Sequence, residues 1–337
     1  MLEVLWRLPE QCAEAWEIGQ RLSSLPAGNF AQVVVTGLGG SAIGGDLLRV
    51  YAADRAQIPV IVNRDYRMPA FVGEQTLVFA TSYSGNTEET LSAYDEARAR
   101  GAKIIVLTTG GKLKEKAERD GVPVMVIPGG ISPRAATGYL FIPTVAVMQR
   151  LGLLPDATAE ITELVQILTV QRESLGPDQP TAGNLAKQLA RLFYGRIPVI
   201  YGSAGNTETV AMRWKGQINE NSKAMAYFNV MPELNHNEIV GTERPQPLLA
   251  QVELVYLRDP ADHPRVQARY GITTELIGER VGRITEVYAQ GDSTLARMYS
   301  LIYVGDYTSV YLALLYGIDP SPVKLIDALK RKLAEVR

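Results

Sequence analysis

The sequence predicts an α/β protein built from two tandem doubly wound domains, each a parallel β-sheet flanked by helices. Three observations lead there. Short apolar runs alternate with amphipathic stretches almost throughout the chain. The length of 337 residues exceeds one ordinary domain of about 100–200 residues. Letters also recur between the halves: Gly40-Ser-Ala42 matches Gly202-Ser-Ala204, and Gly85-Asn-Thr-Glu88 matches Gly205-Asn-Thr-Glu208. Both matches fall where an apolar run gives way to an amphipathic one, which reads as a tandem duplication.

In order, a helix near Pro9–Leu25 precedes strands at Val33–Thr36, Pro59–Asn63, Leu77–Thr81, Lys103–Thr108 and Val122–Ile127. Helical stretches lie between them at Ala42–Ala53, Thr87–Arg100 and Leu113–Arg119. Strands separated by single helices run parallel and are covered on both faces. Gly129–Arg134 fits neither period and reads as a wall or hinge between the halves. Leu153-Leu-Pro-Asp156 ends a helix and places the boundary near there, giving domains of residues 1–153 and 154–337. The second half repeats the plan with helices at Ala159–Glu173, Thr181–Leu192 and Thr207–Asn219. Its strands fall near Pro198–Tyr201, Ala224–Phe228, Gln251–Leu257 and Arg283–Tyr288.

Composition narrows the classes of function. Hydrophobic residues make up 46% and charged residues 21%, ordinary for a globular enzyme. Lys plus Arg total 34 against 36 Asp plus Glu, a net charge of -2 with no dominant basic patch. Nucleic acid and anionic membranes are therefore poor partners. No apolar run reaches membrane-spanning length, and Met1–Arg7 lacks a signal-peptide layout, so the cytoplasm is the expected compartment. Cys12 is the single cysteine, which excludes an internal disulfide or a cysteine-based zinc cluster. Two isolated histidines cannot build a zinc site either. No metal or cofactor is expected, and activity should survive chelators.

The most informative stretch is Thr81–Thr90, where Ser82, Ser84, Thr87 and Thr90 gather hydroxyls at a strand-to-helix turn. Free backbone N–H groups at a helix start favour an anion. The turn contains no Lys or Arg, so a phosphate there would be held by neutral donors and the helix dipole. That suits a small phosphorylated metabolite better than a nucleotide with magnesium. Ser and Thr are also ordinary helix caps, but four such hydroxyls in ten residues favour the phosphate cup.

Gly37–Gly45 forms a second glycine turn after the first strand. Gly37, Gly39 and Ala42 fit dinucleotide-site spacing. The acid that should close the second strand is missing, however, since Asp65 lies beyond it in a loop. In the alternative reading, Gly39 and Gly40 allow close backbone approach and Ser41 adds a hydroxyl to the cup. The carboxyl ends of neighbouring strands face one crevice, so both loops can serve one phosphate.

Candidates for chemistry are few. His263 sits between Asp262 and Pro264 at a turn-to-helix junction and reads as surface. His236 lies in the polar cluster Glu233–Gly241, although a lone histidine is more often structural than catalytic. Glu220 closes the predicted helix Thr207–Asn219 among Gln217, Asn219 and Asn221. A carboxylate meets an unfavourable dipole at a helix C-terminus. The pattern leaves a placed carboxylate and a solvated helix end equally open.

Five segments together resemble the sugar isomerase (SIS) domain superfamily, and most closely its bifunctional phosphoglucose/phosphomannose isomerases. They are Gly37–Asp46, Ser82–Thr90, Pro133–Ala136, Lys215–Asn221 and Glu233–Glu238. They occur in the family's order over nearly the whole chain. The hydroxyl loop is shared by many sugar-phosphate binders; the pair Lys-Gly-Gln-Ile-Asn-Glu and Leu-Asn-His-Asn-Glu is much more specific.

The resemblance implies an aldose–ketose isomerase of glucose 6-phosphate, mannose 6-phosphate and fructose 6-phosphate. It assigns phosphate binding to Ser41, Ser82, Ser84 and Thr87, with backbone help from Gly39 and Gly40. It makes Glu220 the base that carries a proton between C1 and C2, and sets Arg134 beside the enediolate oxygens. It gives His236 a part in ring opening from across a homodimer interface, and makes Lys324 a candidate second ring-opening group, with Lys330 and Lys332 further along the same helix. Acceptance of both aldoses needs room at the intermediate, for which Pro133 and Thr308 are the small residues expected to leave space. The competing expectations are a sugar-phosphate sensor without chemistry and an amino-sugar phosphate isomerase. A sensor would carry a DNA-binding or partner domain, and an amino-sugar synthase would need a glutaminase half with an N-terminal cysteine nucleophile. Neither is visible in these residues.

Overall fold

A computed structural model describes residues 1–333 and 335. The chain opens with α1 (Leu2–Trp6) and α2 (Leu8–Gln20). The first sheet is then laid down as β1 (Gln32–Thr36), α3 (Gly40–Ala52), β2 (Val60–Asn63), β3 (Thr76–Ser82), α4 (Glu88–Ala99), β4 (Lys103–Thr108), α5 (Gly111–Arg119) and β5 (Val124–Val126). Its order is β2-β1-β3-β4-β5 and every pairing is parallel. Period-two alternation assigns the two faces. Val33, Val35, Leu77, Phe79, Ile105 and Leu107 enter the main core, while Val34, Val78, Ala80, Ile104 and Val106 meet α4 and α5 through Tyr94, Ala97, Leu113 and Ala117.

After α6 (Thr137–Arg150), α7 (Thr158–Leu175) and α8 (Leu185–Phe193), a second sheet follows. It comprises β6 (Ile197–Ser203), α9 (Glu208–Gln217), β7 (Tyr227–Met231), the short α10 (Gln246–Leu249), β8 (Val252–Arg258), α11 (Pro264–Ile277) and β9 (Arg283–Tyr288). Its order is β7-β6-β8-β9, again all parallel. The chain thus holds two parallel-sheet α/β units flanked by helices.

α12 (Thr294–Leu315) is buried along nearly its whole length, as an all-round apolar helix must be. Tyr299, Tyr303 and Tyr311 occupy its interior and donate hydroxyls to the carbonyls of Thr137, Leu5 and Leu175 at 3.1, 2.8 and 2.6 Å. This helix therefore ties the N-terminal segment, α6 and α7 to the second half. α13 (Lys324–Leu333) closes the described chain with no buried residue. No helix among the described residues is long and apolar enough to cross a membrane.

Sheet order corrects one of the sequence matches. β6 lies between β7 and β8 as β1 lies between β2 and β3, so the loop after β6 is the counterpart of the loop after β1. Gly40-Ser-Ala42 and Gly202-Ser-Ala204 do sit at equivalent junctions. Gly85–Glu88 follows β3, whose counterpart is β8, so its likeness to Gly205–Glu208 is not one of position.

Candidate active site

At the carboxyl edge of the first sheet, the strand order reverses about β1, which opens a crevice there. The loops after β1 and β3 meet across it. Ser41 Oγ accepts the backbone N–H of Tyr83 at 3.2 Å. Ser82 and Thr87 pair their hydroxyls at 2.9 Å, and Gly85 N–H donates to Ser82 Oγ at 3.1 Å. Thr87 is the N-cap of α4, yet its side chain makes no capping hydrogen bond. The hydroxyls thus face one another across the turn instead of closing the helix amides. Gly85 has φ +68°, and a Cβ there would strike the carbonyl of Gly110, so only glycine closes this turn. Thr90 departs from expectation: it is buried, its hydroxyl is unpartnered, and it is no part of the cup.

Gly39 and Gly40 link the cup to a cavity of about 260 Å³. Its wall also includes Arg64, Arg134, Gln217, Glu220 and Phe228, but none of the four cup hydroxyls. At Gly40 a Cβ would stand 2.9 Å from the carbonyl oxygen of Pro133. That close approach brings the 3₁₀ turn Pro133–Ala135, and with it Arg134, against the start of α3.

Arg134 is buried and almost fully committed. Its Nε donates to Asn221 Oδ1 at 2.6 Å, and one terminal nitrogen donates to the carbonyls of Pro320 and Ser321 at 2.7 and 2.9 Å. The other terminal nitrogen lies 3.5 Å from Glu220 Oε2. Burial pulls the guanidinium below its usual range, partly offset by the Glu220 charge. The Arg134 carbonyl is held in turn by Arg213 at 2.8 Å and Gln217 at 3.2 Å, and both also bind the fully buried Asp306 carboxylate. Asn221 and Ser222 anchor to Ser309 on α12 at 2.9 and 2.7 Å.

Glu220 does not end an α-helix as the sequence suggested. α9 stops at Gln217 and a π-helical turn, Ile218–Ser222, carries the carboxylate. Such one-turn widenings concentrate at functional sites. With its side chain one-third exposed, Glu220 lines both the 260 Å³ cavity and a larger neighbour of about 590 Å³. Lys324, at the start of α13, lines that larger cavity; Lys330 and Lys332 are exposed and lie outside its lining.

His236 ends a 3₁₀ turn, Glu233–His236, and is exposed, away from both cavities. Its neighbours bind elsewhere: Glu238 accepts from Tyr201 at 2.6 Å and from Asn229, and Glu233 accepts from Asn237 at 3.1 Å. His263 caps α11, accepting Arg265 N–H at 3.1 Å. Thr308 is corrected: it is fully buried, its hydroxyl returns to Val304 O at 2.7 Å, and it lines neither cavity.

Sequence reading gave no supporting role to the partners that hold this pair, namely Arg213, Asn221, Lys223 and Asp306. A signal existed for two of them. Arg213, Gln217 and Asn221 recur every four residues, the spacing of one helix face. Lys223 donates to four carbonyl oxygens around the Glu220 turn, and partial burial followed by the Arg134 charge holds its pKa below the usual value.

Comparison with known proteins identifies the family. Residues 30–119 match the SIS domain family, and residues 182–333 match the bacterial phospho-glucose isomerase C-terminal SIS domain. Over 338 aligned residues, covering 100% of both chains, the sequence is 56% identical to a bifunctional phosphoglucose/phosphomannose isomerase of Caldicellulosiruptor bescii. The chain belongs to the bifunctional phosphoglucose/phosphomannose isomerase family. A second member, from Aquifex aeolicus, is 40% identical across 90% of this chain and 91% of its own. Among solved structures, a putative phosphosugar isomerase from Clostridium difficile superposes with a TM-score of 0.73 at 15% identity, covering 95% of this chain and 94% of that one. That likeness is one of fold.

Proposed function

We propose that the chain interconverts glucose 6-phosphate and mannose 6-phosphate with fructose 6-phosphate through a cis-enediol intermediate. The observation that carries this reading is the Glu220 carboxylate 3.5 Å from the buried Arg134 guanidinium, in a cavity reached from the hydroxyl cup through Gly39 and Gly40. Phosphate would bind Ser41, Ser82, Ser84, Thr87 and the amides at Gly39 and Gly40. That anchors C6 and leaves C1 and C2 of the open-chain sugar to Glu220.

In the forward step, Glu220 takes the C2 hydrogen as a proton. The C–H electron pair becomes the C1–C2 double bond, and the carbonyl pair moves onto O1. Arg134, a buried cation fixed by its hydrogen bonds, stabilises that developing charge. Glu220 then returns the proton to C1, the O2–H electron pair becomes the C2 carbonyl, and the O2 hydroxyl proton passes to O1, so no proton is gained or lost overall. A carboxylate reaches both carbons with one group, as this shuttle requires. Mannose 6-phosphate gives the same enediol and differs only in the face of C2 that is protonated.

Ring opening is assigned to His236, delivered by a second copy of the chain, with Lys324 as the second group. The exposed position of His236 supports a shared site. So does the apolar surface left by Met225, Tyr227, Leu325 and Leu329, each exposed on this single chain.

The decisive test is coupled turnover on both aldose phosphates beside Glu220→Gln. Both substrates should be converted, and both rates should fall by about 10²–10⁴-fold in the variant. Turnover of glucose 6-phosphate alone would remove the mannose activity. Binding without turnover in the wild type would replace catalysis by sensing.

A further inference from the structure

Lys223 is the one non-glycine residue with positive φ among the described residues, at φ +55° and ψ +25°. A left-handed residue is expected just past a helix end, but glycine or asparagine ordinarily fills that place because a Cβ is strained there. The side chain provides the compensation. Although the residue is exposed, its ammonium is turned onto four backbone oxygens: Glu220 at 2.8 Å, Pro320 at 3.0 Å, and Asn221 and Asp319 each at 3.3 Å. Two of these belong to the π turn that carries Glu220, and two to the segment leading into Lys324 and α13. A cation gathering the last carbonyls of a helix is electrostatically favoured.

The contacts close on themselves. Glu220 faces Arg134, Arg134 donates to Pro320 O, Lys223 donates to the same oxygen, and Lys223 also donates to the Glu220 carbonyl. We propose that Lys223 is a positioning residue whose ammonium locks the Glu220 turn against the 319–321 segment. It thereby sets the aim of the base on one side and the placement of Lys324 on the other. This rests on the isomerase reading given above. Without the ammonium, Arg134 alone joins the two segments, and the Glu220 backbone is free to shift within the widened turn. Small displacements of a catalytic group cost rate out of proportion to their size.

The test compares wild type, Lys223→Met and Lys223→Gly, using glucose 6-phosphate deuterated at C2. The methionine keeps the aliphatic stem without the charge, and the glycine removes both while relaxing the strained backbone. Both variants should lose about tenfold to a hundredfold in kcat with KM within about twofold, the pattern of an interaction made at the reacting atoms. Both should also deliver less deuterium from C2 to C1, because a loosened carboxylate exchanges its proton with water before returning it. Ethylammonium should restore part of kcat in Lys223→Gly. Wild-type kcat and deuterium retention in the two folded variants would overturn the proposal, as would a change confined to thermal stability. An inactive wild type would instead overturn the isomerase reading, so the two failures are distinguishable.

Discussion

The loops after β1 and β6 occupy the same place in their sheets, but one leaves a cup to be filled and the other is already filled. In the first unit, Ser41 reaches across to the loop after β3 and finds a backbone amide, with Ser82, Ser84 and Thr87 nearby and no carboxylate in the turn up to Thr87. In the second unit, Ser203 reaches across to the loop after β8 and finds the buried carboxylate of Asp262. Asn206 donates to the same oxygen at 2.9 Å. Thr207 bonds Ser203 on both its amide and its hydroxyl, at 2.8 and 3.1 Å. Donors at the start of a helix attract an anion in either unit. The chain supplies its own carboxylate in the second, and on the proposed function the substrate phosphate takes that part in the first. On the proposed function, one framework, twice built, separates into a half that would hold the phosphate and a half that supports Glu220.

The sharpest way to break this contrast is to give the first cup a carboxylate. Ser82→Asp places a negative charge where the phosphate would sit. Like charges about 4 Å apart near a protein surface repel by roughly 4 kcal/mol. KM for either aldose phosphate should therefore rise by at least about a hundredfold, with a smaller change in kcat. Ser203→Ala, at the matching place in the second unit, should leave KM within about twofold, because the proposed phosphate site lies in the first unit. Steady-state kinetics on the two variants decides it. An unchanged KM in Ser82→Asp would remove the phosphate from the first cup.

How much of this the sequence disclosed follows from what each feature depends on. The strands Lys103–Thr108 and Arg283–Tyr288 were readable to the residue, because apolar runs between polar turns are a local property. The predicted helix Pro9–Leu25 is α2, which ends at Gln20, and α1 lies before it unpredicted, since Pro9 fits the first turn of α2 and gives no hint of a helix ahead of it. The predicted helix Thr181–Leu192 becomes a 3₁₀ turn and α8, broken where Asn184 caps Lys187 N–H at 3.0 Å. Glu220 and Arg134 were nameable by resemblance. Their 3.5 Å approach depends on Gly40 admitting Pro133 and on a widened turn after Gln217, neither of which has a period to detect. Asp262 was read only as a flank of His263. Its pairing with Ser203 crosses from one strand's loop to another's, and only sheet order brings those loops together.

A smaller effect should follow from emptying the second cup. Asp262→Ala leaves the buried Ser203 hydroxyl and the Asn206 amide without their acceptor. Unpaired buried donors cost about 1–3 kcal/mol, and chemical denaturation should show a loss of that size. Turnover and KM should stay near wild type, and inorganic phosphate should still bind once per chain by titration calorimetry. Asp259, whose charge already acts on Asp262, remains beside the vacated place and disfavours an anion there. A second phosphate per chain in the variant would show that the two cups differ by Asp262 alone.

The smallest effect, and the one with a definite sign, belongs to Asp262→Asn. The amide oxygen can keep both hydrogen bonds, while its NH₂ takes the place of Asp262 Oδ2, which has no hydrogen-bond partner among the described residues. At neutral pH, losing one charge-assisted acceptor and relieving one buried charge nearly cancel, so stability should move by less than about 1 kcal/mol. The pH dependence separates the two terms. Burial, reinforced by the Asp259 charge, raises the Asp262 pKa above its usual 3.8, against the hydrogen bonds from Ser203 and Asn206. A folded-state pKa above the unfolded value means that the native protein binds the proton more tightly. Its contribution is therefore complete below pH 3.8 and is lost as pH rises through the folded-state value. Relative to wild type, the asparagine variant should gain stability as pH climbs through that window and hold the gain above it. Denaturation midpoints of the two proteins across the acid range test this. A difference that stays flat, or runs the other way, would mean that the donors around Asp262 outweigh its burial and the Asp259 charge, so that it sits in its cup as a well-compensated carboxylate.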